Sequence, residues 1–211
     1  PHVGWGDAFL DLDNAGRKDL ILVNGHVYPQ VDSVKMGTRY KEPKLVFLNQ
    51  RDGRFRDVST ESGEAVQVPQ VIRGLAVGDL FNRGKLDIVI ENLTGGPMIL
   101  EAESDPANHW VSFELEGSPQ NRLALNARVW VTTGKLRQMD EVRSGGSYLS
   151  QSDLRLHFGL GRSARIDKVE VLWPNGGRQV FENVAGDRFY HLTQGGVLTP
   201  AKVAPRTGAT R

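Results

Sequence analysis

Three carboxylates at alternating and then wider spacing open the question of chemistry in this chain. Asp11, Asp13 and Asp19 stand at positions 1, 3 and 9 of the segment Asp11-Leu12-Asp13-Asn14-Ala15-Gly16-Arg17-Lys18-Asp19, with Gly16 at position 6. Alternate residues of a tight loop point inward, and a glycine at its middle permits the sharp reversal, so this pattern can wrap a hard cation. Calcium takes ~6–8 oxygens. The three carboxylates, the backbone carbonyl of Arg17 and water would supply them, although Ala15 brings no oxygen to position 5. A second reading stays open: Asp11 and Asp19 can cap the turn by accepting backbone N–H groups, with no metal at all.

The loop has a sister. At an offset of 68 residues Gly6 aligns with Gly74, Asp11 with Asp79, Asn14 with Asn82, Gly16 with Gly84, Asp19 with Asp87 and Asn24 with Asn92. Phe81 now stands at position 3 and Arg83 at position 5. Two carboxylates remain, and a guanidinium takes the place of the cation, so the second loop reads as architecture rather than a metal site. Repeats on this scale point to a solenoid, propeller or array.

The elements that hold these loops are strands. Each loop runs into a short, β-branched apolar stretch, Leu20-Ile21-Leu22-Val23 and Ile88-Val89-Ile90. Between the copies Leu45–Leu48 reads as a strand, Asp52-Gly53 as a hairpin turn, and Phe55–Val58 as a returning strand. The stretch from Gly25 to Pro43 is polar and aperiodic, and reads as a long insertion of the kind that carries function on rigid β scaffolds. Within it His26 and Tyr28 are candidate ligand contacts. Beyond Asn108 short alternating strands separated by Gly-rich turns predict a compact β-sandwich or barrel. From Thr199 the chain is rich in Pro, Ala, Thr, Gly and Arg without an apolar period, which predicts a disordered tail. No helix is predicted. The expected architecture is all-β: residues 1–104 as two blade-like units, 108–195 as a β domain, 196–211 as the tail.

Composition sets outer bounds. A net charge of +1 gives no global argument for nucleic acid, and no apolar stretch reaches membrane-spanning length, so neither nucleic-acid binding nor membrane insertion is expected. The absence of cysteine removes disulfides, thiolate metal sites and cysteine nucleophiles. Pro1 in place of a start methionine, running directly into a repeat, predicts a piece of a longer protein whose upstream part, any targeting signal included, is missing.

Among groups that could act as catalysts, His157 on an alternating strand is expected to be a partly buried, hydrogen-bonded strand residue rather than a base. The Ser144–Ser152 run lacks the Gly-x-Ser-x-Gly elbow and reads as a turn-rich connection. No convergent catalytic set is visible.

The two repeat copies, above all Trp5-Gly6-Asp7-Ala8-Phe9-Leu10-Asp11-Leu12-Asp13-Asn14 with Gly16 and Asp19, resemble FG-GAP (VCBS) repeats, the blades of integrin-like β-propellers. Asn24-Gly25-His26-Val27-Tyr28-Pro29 is similar to one branch of that family. The second half resembles the ASPIC/UnbV domain through Ala127-Arg128-Val129, Glu141–Ser152, His157–Gly161 and Val169–Pro174. Together they resemble the C-terminal part of proteins of the cartilage acidic protein type. Ala15, Phe81 and Arg83 depart from the repeat pattern, and Asn126 stands where the domain usually has Gly. The resemblance implies a partial β-propeller of two blades followed by a sandwich-like domain. It also implies an extracellular or cell-envelope location, Ca2+-supported folding, and non-catalytic binding or adhesion toward a protein or glycan ligand. Relatives associated with enediyne assembly imply an alternative, a cofactor-free biosynthetic enzyme.

Overall fold

The apolar stretches pair as antiparallel ladders because each has one face to bury and carries the β-branched residues that fit a pleated surface. In the computed structural model, which describes residues 1–34 and 36–206, β1 (Gly4–Leu10), β2 (Asp19–Asn24), β3 (Leu45–Asn49) and β4 (Phe55–Asp57) form a four-stranded meander. A single helical turn, α1 (Glu64–Gln67), leads to β5 (Ile72–Gly78), β6 (Asp87–Asn92) and β7 (Met98–Glu101), a three-stranded sheet. The sequence repeat is also a repeat of structure. β1 and β2 flank the first loop as β5 and β6 flank the second. In both loops the Asn and the Gly at equivalent places take left-handed backbone, Asn14 and Asn82 with φ of 57° and 54°, Gly16 and Gly84 with φ of 79° and 74°. The two sheets share one core, in which Leu10, Ile21, Val23, Ile72, Ile88 and Ile90 are buried. Each such side chain removed from water contributes roughly 1.5–3 kcal/mol before conformational entropy is subtracted.

The C-terminal half is a two-sheet sandwich. Its strands are β8 (His109–Glu116), β9 (Arg128–Thr133), β10 (Leu136–Glu141), β11 (Gly146–Ser147), β12 (Ser150–Gln151), β13 (Leu156–Gly161), β14 (Arg165–Leu172), β15 (Arg178–Ala185), β16 (Arg188–Thr193) and β17 (Thr199–Pro200). One sheet has the order β10-β9-β14-β15 and the other β13-β8-β16-β17, while β11 and β12 make a small separate hairpin. β8 and β16 run parallel; the other pairings are antiparallel. Val111, Phe113 and Leu192 of one sheet meet Val129, Val169 and Val171 of the other in a single buried core. Trp173, just past β14, is buried in it, whereas Trp110 and Trp130 are only partly covered.

Two expectations are corrected. A 3-10 turn at Pro29–Ser33, with Val31 buried, and α1 stand where no helix was expected. The tail expected to be disordered from residue 196 is instead anchored at its start. Thr199 and Pro200 pair with His191 and Tyr190 of β16, and the chain continues along the second loop, where Asn82 Nδ2 donates to the Ala204 carbonyl (3.0 Å) and the Arg206 N–H to that of Phe81 (2.9 Å). Backbone hydrogen bonds there replace the apolar period that the composition lacks. The rest of the expected tail, 207–211, lies outside the described residues.

Candidate metal centre and the cleft beside it

The first loop gathers its carboxylates. One oxygen each of Asp11, Asp13 and Asp19 lies within 4.8 Å of the others. Asp11 and Asp19 are buried and Asp13 is partly exposed. The loop's own backbone draws them in. Asp11 accepts the N–H of Ala15 (3.0 Å) and of Gly16 (2.8 Å), an arrangement that needs the left-handed turn at Asn14 and Gly16. Asp13 accepts the Ala15 N–H (3.0 Å) and the Arg17 guanidinium (3.0 Å). Asp19 accepts from Asn49 (2.9 Å) and Leu12 (3.3 Å). Burial pushes the Asp11 carboxyl up to about 7, against the pull of the Gly16 N–H and with help from the Asp13 charge. Burial also raises Asp19, against the N–H groups of Asn49 and Leu12. Both shifts report negative charge held out of water with incomplete compensation, which is the condition a bound cation relieves. The donor set, three carboxylates and no nitrogen or sulfur, suits a hard ion such as Ca2+. Arg17, whose backbone carbonyl is the expected ligand, also lays its guanidinium on Asp13 as a partial counter-charge.

The second loop repeats the capping and differs in its counter-charge. Asp79 accepts the N–H of Arg83 (2.8 Å) and of Gly84 (2.6 Å), and Asp87 that of Leu80 (3.0 Å), as their counterparts do in the first loop. Arg83 reaches the buried Asp87 and Glu101, both at 2.7 Å, and lies over the Phe81 ring. Burial still raises Asp87, with Arg83 the strongest opposing influence. The guanidinium thus supplies a counter-charge to the carboxylate equivalent to Asp19.

Both loops are docking elements as well, which sequence reasoning missed. Residues 155, 157 and 159 lie on one face of the chain entering β13, and each meets a repeat loop. Arg155 donates to Asn82 Oδ1 and to the Asp79 carbonyl, both at 2.8 Å. His157 Nε2 meets Asn14 Oδ1 at 2.7 Å. Gly159 leaves room for the first loop: a Cβ there would overlap Asp11 Oδ2 and the Asn14 backbone. Asn14 Nδ2 donates to the Gly84 carbonyl (2.8 Å) and so links the two loops, while a Cβ on Gly84 would overlap the Trp110 ring. The signal in sequence was the pair of equivalent asparagines, but their partners lie 73 and 143 residues away.

Because Asn14 turns its amide nitrogen to Gly84, its oxygen faces His157 and only accepts. His157 therefore carries its proton on Nε2, and its buried Nδ1 has no partner among the described residues. Burial holds this imidazole down to about 4, with Arg155 adding to the effect. It is stacked on Trp110, centroids 5.9 Å apart.

Beside the first loop, between the β1–β4 sheet and the sandwich, lies a cleft of about 660 Å³. His157 and several carboxylates line it, so the two halves do bring titratable groups together. Their pairings are electrostatic: Lys18 bridges to Asp140 at 2.6 Å and Arg155 to Asp153 at 2.6 Å. The serines of the β11–β12 region pin that hairpin to the sheets, Ser147 accepting the Asp7 N–H and Ser152 the Val77 N–H, each at 3.1 Å. His26 and Tyr28 stand apart from the cleft lining. Tyr28 is exposed, its N–H donates to His26 Nδ1 (3.1 Å), and the two rings are 6.2 Å apart.

Residues 117–198 match the family model described as ASPIC and UnbV. The matched range covers most of the sandwich and ends just before β17. A search of curated proteins finds no match. Among solved structures, a protein of Bacteroides ovatus ATCC 8483 described provisionally as a cell adhesion protein aligns over 99% of this chain and 89% of its own, with 10% identity and a TM-score of 0.25. No helix among the described residues is long and apolar enough to cross a membrane.

Proposed function

We propose that the chain is a non-catalytic binding, adhesion or scaffold module of the extracellular space or cell envelope. In this reading two FG-GAP/VCBS-like blades of a larger propeller carry an ASPIC/UnbV domain, and the first loop holds one weakly bound Ca2+. The observation that carries it is the cluster of Asp11, Asp13 and Asp19 within 4.8 Å, two of the three buried. A calcium there would neutralise charge at the junction where Asn14 meets the sandwich, and so would favour the assembled form of both halves. Location and the class of ligand, protein or glycan, rest on the resemblance of the repeats.

The reading of a cofactor-free biosynthetic enzyme receives less support. The histidine lining the cleft gives its Nε2 to Asn14 and is held near 4, which makes it a weak general base at neutral pH. Titration calorimetry with Ca2+ decides the metal. Heat with the unmodified chain and its loss in Asp13→Ala is expected; no heat from the unmodified chain sinks the calcium reading.

A further inference from the structure

We propose that the cleft between the β1–β4 sheet and the sandwich binds an organic cation, an amine or guanidinium carried on an apolar body. This rests on the binding-module reading and names its ligand class. Of the three loop carboxylates only Asp11 lines the cleft, so the site adjoins the calcium loop and is tested with and without the metal.

The first ground is size. About 660 Å³ falls within the range of ~300–1,000 Å³ typical of small-ligand sites. The second is charge. Among the described residues six carboxylates line the cleft against three basic side chains; Asp140 is paired with Lys18 and Arg143, Asp153 with Arg155 and Glu141 with Arg128, while Asp11 and Asp79 accept loop N–H groups, which leaves Asp7. Asp7 is exposed on this wall and its carboxylate accepts no hydrogen bond among the described residues. His157 lines the cleft with a side chain 9% exposed, and its Nδ1, closed off from solvent, has no partner among the described residues.

The third ground is an apolar wall in the same place. Phe9 and Phe55 line the cleft, 55% and 41% exposed, with rings 6.2 Å apart, and the exposed Met139 joins them. Exposed large apolar groups gathered in a concavity mark recognition sites more often than chance exposure does. Asp7 and Phe9, two apart on β1, share one face of the strand, so carboxylate and ring stand side by side. Ring faces attract cations as carboxylates do. An anion would meet the excess of carboxylates, and a neutral hydrocarbon would leave Asp7 desolvated and unpaired. An ammonium or guanidinium on an apolar stem satisfies both walls.

The test titrates the full chain with phenethylamine and separately with 3-phenylpropionate, the same ring with opposite charge, followed by amide NMR shifts with and without Ca2+. Expected are saturable shifts around Asp7, Phe9 and Met139 with the amine and none with the acid. Asp7→Asn and Phe9→Ala, both at exposed positions, should each weaken amine binding about fivefold or more while leaving the rest of the spectrum unchanged. A lysine-bearing peptide run in parallel distinguishes the source. Tighter binding of the peptide means the cleft takes a partner's side chain, and tighter binding of the free amine means a small ligand. Binding of the acid as strong as that of the amine, no saturable shift from any of the three probes, or an affinity unchanged by Asp7→Asn overturns the proposal. A failure here with calcium heat intact removes the ligand class and leaves the metal reading standing.

Discussion

Asp19 and Asp87 are the same residue of the repeat and both are fully buried, yet they meet different countercharges. Asp87 has Arg83 at 2.7 Å, while Asp19 has backbone N–H groups, with Arg17 directed at Asp13. Arg83→Met should therefore strand a buried carboxylate. Removing one partner of a buried pair costs ~3–5 kcal/mol, and we expect about 2 kcal/mol here because the guanidinium is partly exposed and screened. Urea denaturation measures it. Adding Phe81→Asp and Arg83→Asn together should instead restore an oxygen-only loop, so that the double variant gains melting temperature with Ca2+ at the second loop. If its response to calcium equals that of the unmodified chain, Arg83 is not standing in for a cation. Asp11 gives the pH dependence. Its folded pKa, about 7, lies above the unfolded value, so its contribution to stability is fully present below the ordinary carboxylate range and is lost as pH rises through 7. His157 acts in the opposite sense: held down to about 4, it withdraws stability as pH falls from its unfolded value near 6.5. A cation removes the Asp11 penalty only when the carboxylate is ionised. The rise in melting temperature produced by Ca2+ should thus be larger at pH 8 than at pH 5.5, and calorimetric scans at the two values check it.

At the scale of elements, the seating of the neighbouring strands β13 and β8 on the loops depends on two missing side chains. Gly159→Ala would push a methyl against Asp11 and Asn14. Gly84→Ala would meet Trp110 and also strain a backbone at φ 74°. Overpacking costs ~1–3 kcal/mol and the left-handed conformation about 1 more, so Gly84→Ala should lose roughly 3 kcal/mol. Gly134→Ala, at φ 56° with open space around it, should lose only the backbone part. Near-equal losses in the two variants would mean that the Trp110 contact relaxes without cost. These glycines show what the sequence discloses. The loops were legible because Asp, Gly and a β-branched run recur at fixed intervals, and such local chemistry is written in neighbouring residues. The strands were legible by alternation, as in β8, β9 and β14. Which strand would sit against Gly84 was not, because Trp110 belongs to another sheet and nothing local to either residue records the approach. The one-turn helix at Glu64–Gln67 was hidden for a different reason: four residues carry no period. The tail misled because β17 is held by backbone pairing to β16, to which side-chain composition is blind.

For the whole molecule the question is whether two cores make one cooperative unit. Each half buries its own apolar cluster, and between them polar contacts, with Arg155 and His157 reading the asparagines of successive repeats, accompany the packing of Trp5 on Tyr148 and of Trp110 on Gly84. Interfaces of this kind between domains usually permit independent motion. Here the contacts converge on the loops that also fix β1 to β2 and β5 to β6, so separating the halves would release the Asn14 turn together with the Asp11 cluster. Folding of the sandwich and order in the first loop are coupled in that geometry. We expect the unmodified chain to unfold in one thermal transition and Arg155→Ala/Asn14→Ala to unfold in two. The earlier of the two would carry the loss of the loops, and the later the sandwich with its larger core. Calcium should raise the single transition of the unmodified chain, but only the transition of the β1–β7 part in the variant. Differential scanning calorimetry with tryptophan fluorescence separates these outcomes, since Trp110 and Trp130 belong to the sandwich and Trp5 to the first sheet. A single transition in the variant, raised by calcium as a whole, would show that the halves are coupled through contacts other than Arg155 and Asn14, and that the loops do not transmit the effect of the metal.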